Sequence, residues 1–71
     1  MAKDELNKKI TAEISAGFLK MLIEKLADEE KPFDLKVRRI KRGVWEIDLY
    51  TNGESEDYFT DLINNPERWR K

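Results

Sequence analysis

Neither cysteine nor histidine occurs in this 71-residue chain. Without cysteine there is no disulfide framework and no thiolate metal site, and a cytoplasmic location becomes the expectation. Without histidine the chain lacks the side chain most used for acid–base chemistry near neutral pH and for zinc ligation. Ser15 and Ser55 then have no imidazole to activate them. Glu54 and Glu56 fall in a charged loop where burial is not expected to tune a carboxyl group. The three glycines are isolated from one another, so no phosphate-cradling loop is present. No apolar run approaches the roughly 20 residues needed to cross a bilayer, and no basic-apolar-small leader opens the chain. The expectation is a protein without enzymatic activity, cofactor, metal or membrane segment.

Charge is abundant. Charged residues make up 41% of the chain, yet the net charge is only −1. The signs are segregated: residues 1–30 sum to −2, 31–45 to +5, 46–61 to −6 and 62–71 to +2. A basic segment followed by an acidic one suits two strands that neutralise each other across a hairpin.

The segment Phe33 to Thr51 supports that reading. Joined through Lys41-Arg42-Gly43, its halves place Leu35 opposite Leu49, Val37 opposite Ile47 and Arg39 opposite Trp45 on one face. The other face pairs Lys36 with Asp48, Arg38 with Glu46 and Ile40 with Val44. A single register thus matches apolar with apolar and cation with anion. Gly43 ends the loop, where a type I turn plus bulge needs a left-handed residue.

Upstream, Leu6, Ile10, Ile14, Phe18, Met21, Leu22 and Leu26 recur at three- and four-residue steps, which predicts an amphipathic helix over 3–30 stopped by Pro32. Leu19 and Ile23 widen its apolar face beyond what a small core needs, and the excess is a candidate partner surface. Gly17, with Ala12, Ser15 and Ala16, forms a small-residue region suited to close approach by the hairpin, with a helix break near Gly17 or a self-association contact as the alternatives. Asp28, Glu29 and Glu30 at the helix end are expected to be solvated. Downstream, Asn52-Gly53 is a turn. A helix over 56–64, capped by Ser55 or Asp57, places Tyr58, Phe59, Leu62 and Ile63 at helical spacing, and a third strand through 57–60 is the alternative. Asn65-Pro66 starts a terminal turn over 66–70. The fold class is α+β: one small α-β-β-α domain over 1–71, with strands at 33–40 and 44–51 whose Val37, Leu35, Ile47, Leu49 and Trp45 face packs on the long helix.

One partial metal pattern is set aside. Asp48, Asn52, Gly53, Glu54 and Glu56 fit part of a calcium-loop spacing, but Tyr50 takes the third position and Phe59 the place of the closing glutamate. Function is therefore expected on a surface. A non-enzymatic protein-binding module acting by stoichiometric occupancy is the principal reading, as monomer or homodimer, with Arg39, Arg42, Tyr50, Tyr58, Trp69 and Arg70 as anchors, since arginine and aromatics are enriched in binding hot spots. In style alone, and on no motif, the chain resembles small accessory proteins of phages and mobile elements, including inhibitors. Nucleic-acid binding is the alternative: Lys36, Arg38, Arg39, Lys41 and Arg42 lie close together, followed by Trp45 and Tyr50, and the tail Arg68-Trp69-Arg70-Lys71 repeats that chemistry, although a pI near 5.5 opposes it. A designed scaffold without a natural ligand is a third reading.

Overall fold

Between Lys8 and Ser15, Ile10, Ala12 and Ile14 alternate with Lys9, Thr11 and Glu13. In the computed structural model, which describes residues 6–68, this segment is a strand, β1 (Lys8–Ser15). The long helix expected over 3–30 is therefore corrected to a strand followed by the 11-residue helix α1 (Ala16–Leu26). The reason lies in the spacing: Ile10 and Ile14 are four apart, a step that fits one helical face and also one strand face. Their β-branched side chains, with Thr11, favour the strand. Ser15 ends it and caps the helix, its hydroxyl accepting the Phe18 N–H at 3.1 Å.

The hairpin forms as expected from β2 (Phe33–Lys41) and β3 (Val44–Thr51). Leu35, Val37, Arg39, Lys36 and Arg38 face the residues read from the sequence, but a bulge between Arg39 and Lys41 makes Lys41, not Ile40, the partner of Val44. Gly43 turns the chain with φ of 80°, in the left-handed region. Its carbonyl accepts the Ala16 N–H at 3.1 Å, tying the start of α1 to the hairpin tip.

The hairpin is not the whole sheet. The strand order is β1-β3-β2, with β3 antiparallel to both neighbours. Strands β1 and β2 are thus parallel, separated by β3 and joined through α1, a split β-α-β arrangement. A lone two-stranded hairpin is marginal in water, and β1 supplies the third strand that β3 needs.

Helix α2 (Glu56–Asn64) follows the acidic loop, as expected. Asn52 rather than Ser55 secures its approach: Asn52 Oδ1 accepts the Ser55 N–H at 2.9 Å. Glu56 and Asp57 in the first turn complement the helix dipole. Thr51, fully buried, donates its hydroxyl to the Pro32 carbonyl at 2.8 Å, so the end of β3 is latched to the entry of β2. A 3-10 turn, Pro66–Arg68, follows α2, and Arg68 bonds Asp61 at 3.2 Å. Trp69 and Arg70, which the expected terminal turn included, lie outside the described residues.

The core joins Leu19, Leu22 and Leu26 of α1 and Phe59, Leu62 and Ile63 of α2 to Ile14, Ile47 and Leu49 of the sheet. Both helices therefore cover one sheet face. No helix among the described residues is long and apolar enough to cross a membrane. Gly17 is the second residue of α1, and a Cβ built on it meets nothing within 4 Å, so the hairpin does not use it for close approach. Gly17→Ala is therefore expected to raise stability by about 0.5 kcal/mol, chiefly by restricting the unfolded chain. A higher urea midpoint at unchanged slope is the check.

Candidate functional site

The uncovered sheet face carries Lys9, Thr11 and Glu13 from β1, Glu46, Asp48 and Tyr50 from β3, and Lys36 and Arg38 from β2. Its charges are largely engaged with one another. Arg38 pairs with Glu46, Thr11 donates to Asp48 at 2.9 Å, and the Tyr50 ring has the Lys9 and Lys36 ammonium groups 5.9 and 5.6 Å from its centroid. The depression here, about 240 Å³, has Lys36 and Arg38 on one side and Glu46 and Asp48 on the other. Such a face has no net cationic field for a phosphate backbone.

The five cations proposed for nucleic acid are thus divided. Lys36 and Arg38 face the acids of β3. Arg39 lies on the helix side of the sheet opposite Trp45, Lys41 stands beside the bulge, and Arg42 occupies the turn. Arg39, Lys41 and Arg42 are exposed. The cations seated over rings among the described residues are Lys9, Lys31 and Lys36, so Arg39, though opposite Trp45, does not stack on its ring.

On the helix side, β2 overhangs the core. Its Val37 is 39% exposed although its partner Ile47 is fully buried, because the helices meet the outer strand at Phe33 and Leu35 and leave its middle uncovered. Beneath the overhang, Ile23, Leu26 and Ala27 of α1 and its C-terminal end face Phe33 and Leu35 of β2 across a groove of about 240 Å³. Ile23 is 47% exposed because it lies at the edge of the stripe formed by the buried Leu19, Leu22 and Leu26. One wall is fixed from behind: the Phe33 ring meets Phe59 edge-on at 5.8 Å. The widened apolar face of the helix was legible in the sequence. Phe33 and Leu35 as its opposite wall were not, since both read as ordinary strand residues.

Of the remaining anchor candidates, Tyr58 is already used. Its hydroxyl donates to Glu29 at 2.7 Å, and Lys31 sits 4.6 Å above its ring. Glu29 also accepts the backbone N–H groups of Glu30 and Lys31 at 3.1 and 3.2 Å, so it is not the solvated helix-end anion expected from the sequence. Partial burial works against ionisation of Glu29, but the Tyr58 hydroxyl, the two amides and the Lys31 charge outweigh it and hold the carboxyl below its usual range. The bond to Glu29, with burial and the carboxylate charge, pushes Tyr58 up to about 12. The signs follow from linkage. The contribution of Glu29 is present at neutral pH and is lost as pH falls through its lowered value. That of Tyr58 is present below the ordinary tyrosine range and is lost between about 10 and 12. Tyr58→Phe is expected to remove the tyrosinate absorbance transition near pH 12 and to raise the Glu29 value toward normal. Ultraviolet titration and carboxyl NMR shifts are the readouts.

Trp69 and Arg70 lie outside the described residues. The described surface thus has Arg39, Lys41 and Arg42 toward the hairpin tip and the apolar groove at the other end of β2, beside Phe33 and Leu35, and leaves Tyr50 and Tyr58 elsewhere. No protein-family model, curated protein or solved structure matches the chain.

Proposed function

We propose that the protein is a non-enzymatic module that binds another protein by stoichiometric occupancy, through the groove between α1 and β2. The observation that supports this reading is the groove itself: half-exposed Ile23, with Leu26 and Ala27, faces Phe33 and Leu35 across an open apolar concavity, and exposed Val37 follows Leu35 on the same strand face. Apolar surface left open beside a charged rim is the usual anatomy of a protein interface. The exposed arginines Arg39 and Arg42 offer hot-spot chemistry farther along the same strand and its turn.

The test is affinity capture with the full chain and with Ile23→Glu, in parallel. Because Ile23 is half exposed, the variant is expected to fold with an unchanged melting temperature. A partner retained by the parent chain and lost with Ile23→Glu supports the groove. A partner retained equally by both rules it out.

Nucleic-acid binding is the second reading, supported by the exposed Arg39, Lys41 and Arg42, none of which has an ion-pair partner among the described residues. Fluorescence anisotropy with mixed-sequence DNA and RNA tests it. Salt-sensitive saturation that disappears when Arg39, Lys41 and Arg42 are changed to glutamine supports this reading over the groove.

A further inference from the structure

Strand β2 is the outer strand of the sheet, and among the described residues nothing pairs with its far edge. Every other residue along such an edge presents an unpaired N–H and C=O, a ready template for another strand. Two features set this edge apart from the outer edge of β1. The first is what lies beneath it. On β1 the helix-side residue Ile14 is buried, whereas on β2 Val37 is 39% exposed and Leu35 lines the open groove. A strand added beside β2 would extend the sheet over that groove, and its helix-side residues would land near Ile23 and Ala27. The second is charge. Lys36, Arg38, Arg39, Lys41 and Arg42 stand on this strand and its turn with the single anion Asp34; Asp48 and Glu46 of β3 face Lys36 and Arg38, so the surplus positive charge at this edge lies with Arg39, Lys41 and Arg42.

We infer that the partner docks by adding an extended strand to the β2 edge, and that this strand alternates acidic with apolar residues. Its acidic side chains on the open face meet Lys41 first, with Lys36 and Arg38 beside it shared with the acids of β3. Its apolar ones fill the groove below, as in other cases where a peptide augments a sheet: main-chain bonds hold it and alternate side chains specify it. The same cations discourage the most obvious competitor. Pairing β2 with β2 of a second copy would bring like charges face to face, which is how natural sheets keep their edges apart. This inference rests on the groove reading above and goes further in naming the occupant.

The experiment uses the full chain, labelled for heteronuclear NMR. The probes are blocked peptides of nine residues, the length of β2: one alternating glutamate with valine, and one alternating lysine with valine. The glutamate peptide is expected to give saturable shifts in the Ile23, Leu35 and Val37 methyl groups and to slow hydrogen exchange of the outward β2 amides. Raised salt is expected to weaken it, and both the lysine peptide and the Ile23→Glu variant are expected to bind at least about tenfold more weakly. Methyl shifts without slowed β2 amides would overturn strand addition while leaving the groove as a binding site. Equal binding of both peptides would overturn the acidic partner. Protection at β1 in place of β2 would overturn the assigned edge. No saturable shift with the glutamate peptide at about 1 mM, the weak end of specific affinities, would overturn the inference, and a capture partner still sensitive to Ile23→Glu would then show that only the strand mode had failed.

Discussion

Replacing Phe59 with alanine is expected to leave the protein largely unfolded at room temperature. Phe59 is fully buried. Its ring meets Phe33 edge-on at 5.8 Å and Tyr58 at 5.1 Å, so it joins α2 to the entry of β2. Phenylalanine-to-alanine changes in cores cost about 3–5 kcal/mol, the transfer term plus the cavity left behind. A core in a domain this small supplies net stability of about the same size. Loss of the folded circular-dichroism signal, or a urea transition displaced to near zero denaturant, is the measurement. A variant that stays folded with under about 1 kcal/mol lost would show that α2 is not held through this ring.

The second large effect contrasts two residues that face each other directly. Val37 and Ile47 are cross-strand partners on the helix side of the hairpin. Ile47 is fully buried under the helices, and Val37 is 39% exposed at the overhang. Ile47→Ala is expected to cost about 2–5 kcal/mol through lost burial and an unfilled cavity. Val37→Ala is expected to cost only about 1 kcal/mol, since much of its surface already meets water and only part of its packing is lost. Urea melts of the two variants, compared at equal slope, check the difference. Equal losses would mean that the groove beside Val37 is closed in solution and that the proposed interface is not free.

The pairing of Lys36 with Asp48, Arg38 with Glu46 and Leu35 with Leu49 was legible in the sequence, because a hairpin is a local structure: its turn, its alternation and its charge match lie within about twenty residues, and a shift by one place would turn every apolar residue outward. Gly43 was legible for the same reason. Helix α2 was legible from its dipole-compatible first turn and from the apolar spacing of Phe59, Leu62 and Ile63. The one-place error at Ile40 comes from the bulge, which inserts a residue without changing the local pattern.

Strand β1 was not legible, and it carried the largest misreading. Lys8 pairs with Thr51 and Ser15 with Val44, so the ladder that makes this segment a strand is formed with residues far along the chain. Within the segment, the four-residue step between Ile10 and Ile14 serves both periods, and only a β3 needing a second neighbour decides between them. The groove has the same origin. Exposed Ile23 was visible as an apolar residue off the main stripe, but its meaning depends on where the helices stop short of β2. The sequence by itself determined the hairpin register, its turn, helix α2 and the division of charge, because each is set by neighbours in the chain. The tertiary structure alone decided that residues 8–15 are a strand, that β2 lies at an open edge and that Val37 meets water while Ile47 does not, because burial is fixed by which surfaces meet after the chain has closed on itself.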